Sequence, residues 1–258
     1  MKRAILIVLG AIVICSLCLA GTVSAAKEGF GFQMGGAAAE ATIDGIEGSG
    51  EWDADSFKDF LWDGWTQTTS YFRTKWSSDT VIAENWLISF VSDTTNDAGD
   101  YVLLSVDNSV VFGEPPAGGA APTEVCFQLK VMGDGTMTME KGTGTVWGPF
   151  AEAVSGTDYK AATTVSGGRV YEIFLDKGVS AGGALAMGYH NNARIEVYDA
   201  STGKTLMFPP DSSAGVPDSY AEGTTGETVP EGLAIGVMLV LSTGVAIVSI
   251  RYFRKPKI

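Results

Sequence analysis

Residues 85 to 109 read NWLISFVSDTTNDAGDYVLLSVDNS, and the fold class turns on them. Two runs rich in aliphatic and aromatic residues, Asn85 to Val91 and Tyr101 to Val106, flank a loop carrying Asp93, Asn96, Asp97 and Asp100. Each run is too short for a helix of ordinary length and is bounded by turn-forming residues, which is the pattern of a strand, a polar connection and a second strand. The same reading extends outward to strands over 68–76, 80–91, 101–107, 125–131, 136–141, 169–175, 184–190 and 194–199, separated by Gly, Pro, Asp and Asn. No stretch between residues 41 and 210 holds a 3.6-residue apolar period between caps. The expectation is an all-β domain, an antiparallel β-sandwich of eight or nine strands.

Both ends of the chain carry membrane signals. Lys2 and Arg3 precede an apolar run from Ala4 to Ala20 and the small residues GTVSAA, the pattern of a cleavable secretory signal peptide over residues 1–26. Residues 232–250 contain no charge and are followed by Arg251, Arg254, Lys255 and Lys257. A helix of that length reaches about 28 Å, close to the hydrocarbon thickness of a bilayer, and the basic tail, 251–258, belongs on the cytoplasmic side. The sequence therefore predicts a cell-surface protein: a leader over 27–40, a sandwich domain over 41–210, a flexible stalk over 211–231, one transmembrane helix and a short tail.

Composition narrows the partners. Residues 27–231 hold thirty acidic side chains against eleven basic ones, a net charge of −19. Nucleic acid and anionic headgroups are repelled by such a surface. Cys126 is the one cysteine outside the signal peptide, so no intramolecular disulfide is available and the core must hold the domain together. None of the five asparagines begins an Asn-x-Ser/Thr acceptor.

The stretch IDGIEGSGEWDADSF, Ile43 to Phe57, resembles the opening of family 9 carbohydrate-binding modules and the related DOMON-like sandwiches. Three later stretches follow in the same order: NWLISFVSD, DYVLLSVD and VYEIFLDKG, the last with an internal glutamate. The resemblance covers residues 41–199 and implies a non-catalytic binding sandwich. The C-terminal part, VYDASTGKTLMFPPDSSAGVPDSY, is similar to the ends of archaeal surface proteins, and Pro230-Glu231 before the span resembles the signal read by archaeal sortase-like enzymes. Whether the span is kept or exchanged for a lipid stays open.

Carbohydrate modules set flat aromatic rings against the apolar face of a sugar while amides and carboxylates take its hydroxyls. Trp62 and Trp65 around Asp63-Gly64, and Trp147 in a loop, are the candidate platforms, since strand tryptophans such as Trp86 have a core to enter. Asp63, with Asn191 and Asn192 read as a hairpin turn, would supply the polar half. The candidate cofactor is calcium, held by Asp93, Asp97 and Asp100, although the spacing is not that of an EF-hand. His190 is the one histidine, with no nucleophile elbow or HExxH motif, so no catalytic residue is expected. Two alternatives remain open: a structural envelope protein without a small ligand, and, through the resemblance, a b-type haem domain using Met137, Met139 or His190.

Overall fold

The computed structural model describes residues 27, 30–35, 41–52, 57–77, 83–108, 118–176 and 191–225. The signal peptide, the membrane span, the basic tail, the strand expected at 184–190 and His190 lie outside them. Among the described residues there is no α-helix, and none is long and apolar enough to cross a membrane. Thirteen strands occur there, rather than eight or nine: β1 Gly31–Met34, β2 Phe57–Asp63, β3 Thr66–Ser77, β4 Ala83–Phe90, β5 Tyr101–Asn108, β6 Cys126–Met132 and β7 Met137–Gly142. The chain continues through β8 Trp147–Pro149, β9 Tyr159–Val165, β10 Arg169–Asp176, β11 Asn191–Asp199, β12 Lys204–Phe208 and β13 Ala221–Thr225.

Eleven of these form a single hydrogen-bonded path, β8-β7-β6-β5-β11-β12-β2-β3-β4-β10-β9, with every pairing antiparallel. Its weakest joint is between β12 and β2, where Met207 opposite Trp62 is the one registered pair. There the sheet folds over, and the two halves face each other across one core. Val102, Leu104, Val106, Leu129, Ile195 and Val197 from one half share that core with Phe72, Trp86, Ile88, Phe90 and Ile173 from the other. The period-2 alternation of each strand is what delivers one face inward. β4 is buried at all eight positions, because its outer face is covered by Trp52 and Ala41, which pack on Leu87.

Two expectations about the ends of the domain are corrected. The glycine-rich leader contributes β1, whose Phe32 and Met34 are buried in the core. The expected stalk is ordered through Thr225: a 3₁₀ turn over Pro217–Ser219 leads into β13, which runs parallel to β1 and antiparallel to the start of β11. Gly-rich and Ser-rich composition suggested flexibility, but a strand needs only a partner for its backbone and alternate apolar contacts, and each of these segments supplies the other.

The loop Asp93 to Asp100 is not a hairpin connection. β4 pairs with β3 and β10, whereas β5 pairs with β6 and β11, so the loop carries the chain from one half-sheet to the other.

Candidate functional site

The motif at Ile43–Trp52 builds a brace. Glu172, buried in β10, accepts the backbone N–H groups of Asp44 and Gly45 on Oε2, both at 2.9 Å, and the indole N–H of Trp52 on Oε1 at 3.1 Å. Gly45 has φ +81°, and an added Cβ would come within 2.9 Å of the Thr163 backbone, so the turn needs glycine. Burial raises the Glu172 carboxyl from its ordinary range while the three N–H donors pull it back. Trp52 is fully buried beneath this arrangement. The tryptophan of the motif is therefore a packing residue.

The exposed aromatic residues gather elsewhere. β2 turns into β3 through Gly64 and Trp65, with Asp63 opposite Thr66 and glycine at φ +54° in the first central position, where a two-residue hairpin loop favours it. Trp65, 65% exposed, stands at the tip, and Trp62 is half-buried behind it because a bulge between Phe60 and Trp62 breaks the alternation. Phe30 meets Trp62 edge-to-face at 5.9 Å, and the Lys27 ammonium lies 5.6 Å from the Phe30 ring and 5.1 Å from that of Trp65. Beside this cluster runs a groove of about 440 Å³ between β1 and β2. Phe30, Phe32 and the half-exposed Phe57 furnish its apolar wall, and Gln33, Lys58, Asp59 and Glu222 its polar groups. Burial pushes the Asp59 carboxyl up to about 6. Such a groove is within the usual size range of small-ligand sites, roughly 300–1,000 Å³.

Sequence reasoning placed Trp62 and Trp65 at this site and missed Phe30, Gln33, Phe57, Asp59 and Glu222. The one local signal was GFGF, aromatic residues alternating inside an otherwise featureless glycine run. Asp63 is exposed and ion-paired with Lys204 at 3.3 Å rather than lining the groove.

The other predicted residues are not brought together with this pair. Trp147 lies in β8, with five strands between it and β2 along the sheet, and donates its indole N–H to the Ala214 carbonyl at 3.1 Å, pinning the segment before β13. Asn191 and Asn192 form no turn: both are buried and open β11, Asn191 opposite Asn108 and Asn192 opposite Asp107. Met139 is in the core and Met137 packs against it.

Asp93 and Asp100 do meet, but around an internal cation. Arg169, fully buried at the start of β10, donates Nε to Asp93 at 2.8 Å and Nη2 to Asp100 at 2.6 Å, and also reaches the carbonyls of Thr95 and Gly133. Asp97 lies beside them, its backbone N–H donated to Asp100. Asp199 brings a third buried carboxylate within 4.8 Å. These carboxylates are already taken: Asp93 also accepts from Thr95, Asp100 from Ala200, and Asp199 from Ser201 and Thr202. A calcium ion there would have to displace the guanidinium, so the donor set fits an arginine clamp better than a metal. A second groove, about 510 Å³ between Asn96, Gly133–Gly135 and Ala162–Val165, adjoins the clamp and has no aromatic wall.

No known protein family matches the chain, and no curated protein does. Among solved structures, one from Bacteroides uniformis, described on provisional grounds as a carbohydrate-binding protein, superimposes with a TM-score of 0.47 at 12% identity, over 76% of this chain and 99% of that one. A likeness that distant bears on neither the site nor the function.

Proposed function

We propose that this is a non-catalytic binding module displayed on the outer face of a cell, taking a glycan in the groove between β1 and β2. The observation that carries the reading is the groove itself: exposed Phe57 lines it and exposed Trp65 adjoins it, with Gln33, Asp59 and Glu222 in its wall. A pyranose presents an apolar face to a ring and hydroxyls at its edges, and this set answers both requirements, stacking on one side and mixed donors and acceptors on the other. The net charge of −19 over residues 27–231 disfavours polyanionic glycans and leaves neutral ones as the better ligands. Placement at the cell surface rests on the apolar segments 4–20 and 232–250 and their basic flanks.

The test is a glycan array followed by calorimetric titration of the full-length chain. Trp65→Ala and Phe57→Ala should weaken binding about tenfold each, while Trp147→Ala, whose ring is engaged with Ala214, should leave it unchanged. Binding to no glycan at all would remove this reading and leave a structural envelope role.

A further inference from the structure

We infer that β9 is a docking edge for a second copy of this chain, the two β9 strands pairing antiparallel about a two-fold axis so that one half-sheet runs on into the other molecule. The interface is separate from the β1–β2 groove and does not depend on what that groove binds. β9 ends the sheet path and pairs with β10 alone. The phase of that ladder follows from its first rung: the Asp176 N–H donates to the Asp158 carbonyl at 2.8 Å, and the next pair in register is Tyr159 with Leu175. In an antiparallel pair every second residue bonds its neighbour, so Lys160, Ala162 and Thr164 bond β10, while Ala161, Thr163 and Val165 turn their N–H and C=O groups outward. Tyr159 agrees with this phase, since its outward carbonyl accepts the Gly156 N–H at 2.7 Å. For Ala161, Thr163 and Val165 no outward backbone partner occurs among the described residues. Open space lies beside them, the groove of about 510 Å³ along Ala162–Val165.

The two ends of the sheet path are finished differently. β8 is three residues long and contains Gly148 and Pro149, which blunts that edge. β9 is seven residues long, keeps an unbroken register with β10, and has no proline, no bulge and no charge from Ala161 to Val165. An edge without any of these devices is a template for another strand. Apolar side chains collect at its rim. Ile46 follows Gly45, where an added Cβ would lie 2.9 Å from the Thr163 backbone; Val154 precedes Ser155, which bridges to Tyr159; Val91 lies against Gly168 in the β9–β10 turn. Their exposures are 57%, 54% and 37%, so the rim offers apolar surface for a partner to bury. Symmetry and charge identify that partner. The outward groups are centred on Thr163, so an antiparallel copy sets Thr163 opposite itself and Ala161 opposite Val165, and each outward N–H meets a C=O. Lys160, the one charged residue of β9, then faces Ser166 and not another lysine, so no like charges are opposed. With the β8 edge blunted, the pairing closes at two copies instead of continuing as a fibre.

Analytical ultracentrifugation of the full-length chain in detergent tests the interface. The expected result is a monomer–dimer equilibrium, weakened more than about tenfold by Thr163→Pro, which removes an outward N–H and leaves the bonds to β10 in place. Thr163→Val keeps that N–H and should leave the equilibrium unchanged. Should Thr163→Pro fail to give the wild-type circular dichroism spectrum, Val165→Pro takes its place. A chain that stays monomeric at about 100 μM would overturn the proposal. Dimers that persist undiminished in the proline variant would overturn it too, by assigning the association to another surface such as the apolar segment 232–250. Loss of the dimer in Thr163→Val as well would do the same, since it would place the contact on the hydroxyl and not on the backbone.

Discussion

Trp52 and Trp65 are thirteen positions apart and do opposite work. Trp52 has 0% of its surface exposed and gives its N–H to Glu172, whereas Trp65 is 65% exposed at a hairpin tip. Trp52→Ala should therefore cost about 3–5 kcal/mol of folding stability, from the lost transfer energy, the cavity and an unmet Glu172 acceptor. Trp65→Ala should change stability by less than about 0.5 kcal/mol. Urea denaturation of the two variants checks the pair, and a large loss for Trp65→Ala would mean that its ring is part of the core. At this scale the candidate site was half legible. A tryptophan next to Asp-Gly announces an exposed turn, which is local chemistry, and so Trp65 could be read. Phe57 and Asp59 could not, because nothing beside them reports that β1 lies across from them to form a groove.

Among the elements, the loop between β4 and β5 shows what local composition leaves out. Its acidic residues were plain, and a cation was the natural partner to look for. The cation is Arg169, 69 residues beyond Asp100 and 76 beyond Asp93, brought there by the pairing of β10 with β4. The guanidinium thereby ties β10 to the crossing loop and, through the Gly133 carbonyl, to the β6–β7 turn of the other half-sheet. Arg169→Met should destabilise the domain by about 3–5 kcal/mol, since it strands two buried carboxylates, and the midpoint of denaturant unfolding measures it. A variant as stable as the parent at neutral pH would show that the clamp contributes nothing net.

For the molecule as a whole, acidity has a thermodynamic consequence. Burial lifts Asp107, which accepts the Gly118 N–H and the Cys126 S–H, and Asp59 from 3.8 to about 6 each. The native state then holds these protons more tightly than the unfolded chain. The associated stability is fully present below the unfolded value near 4 and is lost as pH rises through about 6. After allowance for partial screening, Asp107 contributes about 2 kcal/mol in this window and the more open Asp59 about half as much. Glu196 and Asp199 are lowered and work the other way: burial alone would raise them, but Arg194 beside Glu196 and the Ser201 and Thr202 donors on Asp199 outweigh it, so their contribution is lost in acid. Thermal stability should therefore be greatest between about pH 4 and pH 6, with Tm several degrees higher at about pH 5 than at about pH 7.5. Calorimetry across that range, with Asp107→Asn flattening the profile, is the check, and a Tm that rises from about pH 5 to about pH 7.5 would contradict the assignment.

What the sequence by itself determined were the properties that short-range patterning encodes. Alternation and turn residues located most of β3 to β7, β10 and β11 and made the domain all-β and antiparallel, because a strand's inward and outward faces are written at every second residue. The tertiary structure alone decided which distant segments meet. It turned a glycine-rich leader and a Ser-rich stalk into the parallel pair β1 and β13, and moved Asn191 and Asn192 from an imagined turn into buried strand. It also set Arg169 against Asp93 and Asp100 of the crossing loop and placed Phe30 and Phe57 near Trp62 and Trp65. Each of these rests on contacts between residues far apart in the chain, where burial and partnership are properties of the pair, and neither residue carries them alone.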